Sequence, residues 1–211
     1  MNALERYIEA LSSPEDPLLG ELERETNLRT INPQMLSGHI SGKFMKMLVR
    51  MLRPRRILEI GTLTGYTALS MAAGLDGEGV LDTCEKNDEL EELIRSFFAR
   101  SPYGGRIRLH IGSALETVPA LGERYDLVFI DGDKREYCAY YRMLMDGGYV
   151  GSGSFILADN ILWYGKVAEP VARGDRQTQE IDDFNRMVRS DGRVENVVLP
   201  IRDGINLIRV K

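Results

Sequence analysis

Ile57-Leu58-Glu59-Ile60-Gly61-Thr62-Leu63-Thr64-Gly65-Tyr66-Thr67 decides the fold. The apolar run broken only by Glu59 predicts a short buried strand. The glycines predict a tight turn, and the residues from Tyr66 predict a helix. A glycine-bearing turn between strand and helix lets a ligand approach the backbone, and the helix start offers unpaired N–H groups to it. The spacing narrows the guest. A dinucleotide fingerprint is G-x-G-x-x-G, but Leu63 stands where its middle glycine belongs, and Glu59 lies two residues ahead of Gly61. A pyrophosphate is repelled by that carboxylate, whereas a ligand bearing cationic groups is attracted to it. S-adenosylmethionine carries a sulfonium and an ammonium and no phosphate.

Outward from this stretch, strand and helix patterns alternate. Strands are expected at Ile57–Ile60, Val80–Cys84, Ile107–Ile111, Asp126–Ile130, Ser154–Ala158, Val194–Leu199 and Asn206–Val210. Helices are expected at Tyr66–Ala73, Asp88–Ala99, Ala114–Leu121, Arg135–Met145 and Gln179–Ser190. Such alternation predicts an α/β fold: a doubly wound, Rossmann-like, seven-stranded, mostly parallel sheet with helices on both faces. The last two strands are separated by a short turn containing Asp203-Gly204, which demands a C-terminal antiparallel hairpin. Ahead of the first strand lie a short amphipathic helix at Leu4–Leu11, a charged segment reaching Arg29, and a helical stretch from Asn32-Pro33 to about Leu52. The last carries Met35, Ile40, Phe44, Met47, Leu48 and Met51 at helical spacing and is expected to bury them.

At 211 residues the chain is expected to be one domain, 1–211, with 1–52 as a helical lid and dimer segment. A net charge of −5 argues against a nucleic-acid partner. No apolar run approaches the ~20 residues of a membrane span, and the mixed, acidic start does not read as a signal peptide. Cys84 and Cys138 suggest neither a disulfide framework nor zinc. A cytoplasmic chain is expected.

Ligands of doubly wound sheets gather at the carboxyl ends of the strands. Glu59, Gly61 and Gly65 stand at the first strand. Glu85 ends the second, at the distance from the glycine turn where an acid holds ribose hydroxyls. Gly112-Ser113-Ala114 after the third form a small-residue turn with room for adenine. Asp131 follows the fourth strand and Asp159-Asn160 the fifth. If those strands are neighbours, two carboxylates and an amide oxygen converge. These are hard ligands suited to Mg²⁺, or to Mn²⁺ or Ca²⁺, rather than zinc. Lys134 lies three residues beyond Asp131. A dication nearby disfavours its ammonium form and makes it a candidate general base. His39 and His110 read as structural.

Taken together, Leu58–Thr67, Glu85, Tyr125–Tyr137 (Y-D-L-V-F-I-D-G-D-K-R-E-Y), Ala158–Val167 (A-D-N-I-L-W-Y-G-K-V) and Leu199–Ile208 (L-P-I-R-D-G-I-N-L-I) resemble the cation-dependent O-methyltransferases of the caffeoyl-CoA and catechol group. The resemblance runs from Asn32 to Lys211. It implies that Glu59, Gly61, Tyr66 and Thr67 line the methionine half of S-adenosylmethionine, with Ser37 adding a contact from the lid. It implies that Glu85 holds the ribose and that Ser113 and Ala114 border the adenine. Asp131, Asp159 and Asn160 would bind the metal, with Asp131 also near the cofactor, and Lys134 would be the base toward a hydroxyl of a small catechol-like acceptor. A homodimer is implied too. The chain departs from the catechol enzymes at Asp133, where they carry an aromatic residue, and at Pro200, near which they carry an acid. Other readings are an NAD-dependent oxidoreductase, a metal-independent or RNA-directed methyltransferase, and a non-catalytic nucleoside-binding module.

Overall fold

The computed structural model describes residues 3–211. Three helices precede the sheet: α1 (Ala3–Leu11), α2 (Pro17–Arg29) and α3 (Gly38–Leu52). Strands and helices then alternate as β1 (Arg56–Ile60), α4 (Tyr66–Ala72), β2 (Val80–Glu85), α5 (Glu91–Arg100), β3 (Ile107–Ile111), α6 (Ala114–Leu121), β4 (Leu127–Ile130), α7 (Tyr137–Asp146) and β5 (Phe155–Ala158). The chain closes with α8 (Arg176–Ser190), β6 (Val194–Leu199) and β7 (Ile205–Val210).

The seven strands form one sheet in the order β3-β2-β1-β4-β5-β7-β6. All neighbouring pairs up to β4–β5 are parallel, and β7 runs antiparallel to both β5 and β6. The order reverses at β1, whose neighbours are β2 and β4, and that reversal opens a crevice at the carboxyl ends of the strands.

Side-chain alternation explains why both faces are covered. In β4, Val128 and Ile130 join Tyr137, Tyr141, Phe184 and Ile208 in one apolar cluster. Leu127 and Phe129 join Ile57, Met45, Val49, Leu69 and Phe97 in the other. Phe184 of α8 meets the ring of Tyr137 edge-on, with centroids 5.4 Å apart, and that of Tyr141 at 6.0 Å. Such pairs contribute about 0.5–1.5 kcal/mol each beyond area burial. They also fix the orientation of Tyr137, which matters below.

The N-terminal region differs from expectation in three ways. The charged segment before Arg29 is helix α2. Asp16 caps it by accepting a hydrogen bond from Leu18 N at 2.9 Å, and Pro17 occupies its first turn. The expected continuous helix to Leu52 is split into a 3₁₀ turn (Pro33–Met35) and α3. Finally, α3 buries Gly42, Met45 and Val49, whereas Met47 and Met51 are 63% and 76% exposed and Met35 is 54% exposed. The methionine stripe is thus largely outside the core of the single chain. Helix α3 meets α4 through the small Gly42, so the buried face is set by close approach rather than by bulk.

Candidate active site

Gly61 follows β1 with φ +98°, a left-handed conformation that glycine adopts without strain. A side chain there would overlap the main-chain carbonyl of Asp131. The two strand ends are stitched together by Asp131 N donating to Ile60 O at 2.9 Å. Gly65, φ +92°, abuts Phe98 of α5 in the same way. The turn can therefore lie flat beneath a ligand only with glycine at these positions.

Glu59 is fully buried within β1. Its Oε2 accepts from Thr83 Oγ1 at 2.5 Å, and Thr83 also meets Thr62 Oγ1 at 2.5 Å. Its Oε1 is buried without a partner. Burial, reinforced by the charges of Asp131 and Glu85, pushes the Glu59 carboxyl up to about 8 against the opposing Thr83 bond. An orphaned acceptor of this kind is costly unless a donor or cation meets it.

Glu85 is oriented by two backbone donors: Leu63 N to Oε2 at 2.7 Å and Asn87 N to Oε1 at 2.8 Å. Each oxygen keeps a further lone pair, enough for the two hydroxyls of a diol. Glu85 thus both organises its turn and faces the crevice end of β2. Ser113 starts α6 with its hydroxyl uncommitted to the cap, and Ala114 is buried behind it. On the other flank, Thr67 Oγ1 donates to Ser37 Oγ at 3.0 Å. Tyr66 is buried, and its hydroxyl donates to Glu15 on the side of α2 and α3. A cavity of about 210 Å³ lies there, lined by Glu15, His39, Lys43, Tyr66 and Ser70. Tyr66 thus offers the crevice its helix-start backbone rather than its phenol.

Strands β4 and β5 are neighbours, with Ile130 opposite Ala158. Asp131 and Asp159 follow directly at adjacent strand ends, and Asp159 N donates to Ile130 O at 3.0 Å. Asn160 has φ +58°, a left-handed conformation that asparagine tolerates, and its N–H donates to Asp159 Oδ1 at 2.8 Å. Burial and then the charge of Asp131 push the Asp159 carboxyl up. Two carboxylates crowded at a buried rim are destabilising unless a cation joins them, and the Lys134 ammonium partly meets that need at Asp131. Among the described residues no group of three or more His, Cys, Asp and Glu side chains could hold a metal. The donors available here are two carboxylates and an amide, an all-oxygen set that fits a hard dication and leaves positions free.

Lys134 is buried yet charged. Its Nζ donates to Asp131 Oδ1 and to Tyr137 Oη, each at 2.7 Å. Tyr137 Oη in turn donates to Asp159 O at 2.9 Å. Burial disfavours the ammonium, but Asp131 and Tyr137 outweigh it and hold the group above the ordinary lysine value. Tyr137 is the positioning residue that the sequence reading did not single out; its spacing of three from Lys134 at a helix start was the available signal. Asp133 caps the turn before α7 and is held by Arg135, whose side chain ion-pairs with it at 2.6 Å. His39 meets Ser13 O and His110 meets Asp82 Oδ1, both away from the rim.

A crevice at the β1 reversal, with acids at three strand ends and a buried lysine between them, defines a nucleoside-type group-transfer fold. A family model described as O-methyltransferase matches residues 9–211. A probable caffeoyl-CoA O-methyltransferase of Dictyostelium discoideum is 34% identical over 82% of this chain and 77% of its own length. The caffeoyl-CoA O-methyltransferase of Petroselinum crispum is 30% identical over 99% of this chain and 90% of its own. The crystal structure of a Bacillus cereus O-methyltransferase in complex with SAH superimposes with a TM-score of 0.92 at 27% identity, covering 100% of this chain and 98% of that one. The chain belongs to the O-methyltransferase family, and it is an S-adenosylmethionine-dependent O-methyltransferase.

Proposed function

We propose that the chain is a divalent-metal-dependent, cytoplasmic O-methyltransferase, a single catalytic domain working as a homodimer, whose acceptor is a small molecule with two vicinal oxygens. The observation that supports this reading is the placement of Asp131 and of Asp159-Asn160 at the adjacent ends of β4 and β5, with the buried Lys134 bonded to Asp131. Asp131, Asp159 and Asn160 would hold the ion, Mg²⁺ by preference. When bound, it would supply positive charge to an acceptor oxygen and so lower the pKa of its hydroxyl.

The remaining steps belong to the chain's own groups. Glu59 Oε1 is the buried acceptor for the ammonium end of S-adenosylmethionine, Glu85 takes the ribose diol, and Ser113 and Ala114 flank the base. Gly61, the Tyr66 backbone, Thr67, Ser37 and Asp131 border the methionine half. Asp131 and Tyr137 hold Lys134 as an ammonium; a dication on Asp131 would disfavour that charge, and the neutral amine would spend one N–H on Asp131 and one on Tyr137, leaving its lone pair as the free position on Nζ. That lone pair takes the hydroxyl proton. The acceptor oxygen then forms a bond to the methyl carbon as the carbon–sulfur bond breaks, and the electron pair leaves with sulfur as a neutral thioether. Alignment of oxygen, carbon and sulfur can supply roughly 7–11 kcal/mol of barrier reduction. Arg135 occupies Asp133, so the wall that is aromatic in catechol enzymes is polar here, consistent with an acceptor other than a bare catechol.

Methyl transfer to a panel of vicinal-oxygen acceptors, with Mg²⁺ or with excess chelator, tests the proposal. Asp159→Ala is expected to lose at least about a hundredfold in metal-dependent turnover, while titration calorimetry still registers S-adenosylmethionine. Full activity of wild type in excess chelator would overturn the metal reading.

A further inference from the structure

Arg202 stands in the β6–β7 turn with φ +52°, a left-handed conformation that costs a non-glycine residue of order 1 kcal/mol or more. Glycine would serve the turn better, so the side chain is what this position retains. It is exposed, yet it reaches from the hairpin to the segment ahead of α3. Its Nη1 donates to Ser37 O and, at 3.5 Å, to Ser41 Oγ; its Nη2 donates to Leu36 O at 3.3 Å. Leu36 is buried beneath it.

The contacts on either side of Arg202 make a closed circuit. Ser37 Oγ receives Thr67 Oγ1 at the start of α4. Gly61 lies against Asp131, and Asp131 N is bonded to Ile60 O. Asp159 N is bonded to Ile130 O. From Asn160 the chain turns back, with Ile161 N donating to Gly204 O at 3.2 Å and Leu162 N to Asp203 O at 2.9 Å. Tyr164 N donates to Asp203 Oδ1 at 2.6 Å. Two of these links are made by charged side chains, the Asp203 carboxylate and the Arg202 guanidinium, and of the two only the guanidinium spans from the hairpin to Leu36–Ser37. The segment that the guanidinium holds meets the start of α4 through Ser37 and Thr67, two residues proposed to border the methionine half of the donor.

We infer that Arg202 is the latch of the ring: a positioning residue that holds Leu36–Ser37 over the donor site, and whose release sets the rate of cofactor exchange. This rests on the donor-site reading above. A charged hydrogen-bond fork to main-chain carbonyls is strong enough to hold a segment and exposed enough to let go.

The test uses the full chain as wild type, Arg202→Gly and Arg202→Lys. Amide hydrogen exchange across residues 31–38 is read without ligand, and the dissociation rate of S-adenosylhomocysteine (SAH) is read by stopped flow. In R202G, exchange at 31–38 is expected to quicken roughly tenfold or more, and SAH to leave faster by a similar factor. The KM for S-adenosylmethionine rises more than kcat falls. The melting temperature holds or rises, because the turn strain is relieved. R202K, which keeps charge without the planar fork, is expected to follow R202G. Wild-type exchange at 31–38 in R202G, with SAH still binding, would overturn the latch. Failure of the wild-type chain to bind SAH would instead overturn the donor-site reading.

Discussion

Glu59 shows how a single residue couples site and stability. Its carboxyl lies near 8 in the fold against an ordinary 4.5. Between those values the folded chain holds a proton that the unfolded chain has released, so stability falls as pH rises. The favourable contribution is complete below about 4.5 and is lost as pH climbs to about 8. The slope has an upper limit of about 1.4 kcal/mol per pH unit. Glu59→Gln keeps the volume without the titration. Urea unfolding of the ligand-free chain at several pH values from 5 to 8 should show a shallower decline in the variant; equal slopes would remove Glu59 as the cause. The residues that stand at strand ends, such as Asp131 and Asp159, were readable in the sequence because strand ends can be counted. Arg202 was not. Its partner Ser37 lies 165 positions away, and no local pattern marks such a pair.

At the level of elements, β1 and its turn were readable because apolar run, acid and glycines all agree over eleven residues. The hairpin was readable from the length of its turn. Helix α2 was missed because its surface is strongly charged and it buries only Leu22 and Thr26. Its Asp16-Pro17 start was the signal that should have revealed it. The β1 turn also carries the sharpest prediction for an element. Gly61→Ala forces a Cβ against the Asp131 carbonyl in a left-handed backbone. Strain and overlap together should cost roughly 2–5 kcal/mol. Calorimetric melting should fall by about 2–4 °C for each kcal/mol, and SAH binding should weaken with it. A variant that melts with wild type would show the turn to be more yielding than its packing implies.

For the whole molecule, a seven-stranded, mostly parallel sheet with a closing antiparallel hairpin follows from alternating strands and helices, and the observed sheet agrees with that expectation. The fate of the apolar N-terminal positions was not readable, because periodicity marks a face without naming what covers it. Leu28, Ile31, Met35, Met47 and Met51 all stand more than half exposed on α2, α3 and the segment between them. Exposed apolar surface of this extent marks an interaction face, and a second copy of the chain is the proposed occupant. Sedimentation should give twice the chain mass for wild type and the single-chain mass for Met47→Glu/Met51→Glu, with the melting of each chain little changed. A wild-type monomer at micromolar concentration would remove the dimer from the proposal.

The reversal of strand order at β1 divides labour between the halves of the sheet. The proposed donor contacts stand mainly on β1, β2 and β3, whereas the acidic rim stands on β4 and β5. The two inventories share little beyond Asp131, its seam with Gly61 and the bridge from Arg202 to Leu36–Ser37. Mutation can therefore rewrite what receives the methyl group while the apparatus that delivers it stays intact, and one architecture can serve many acceptors.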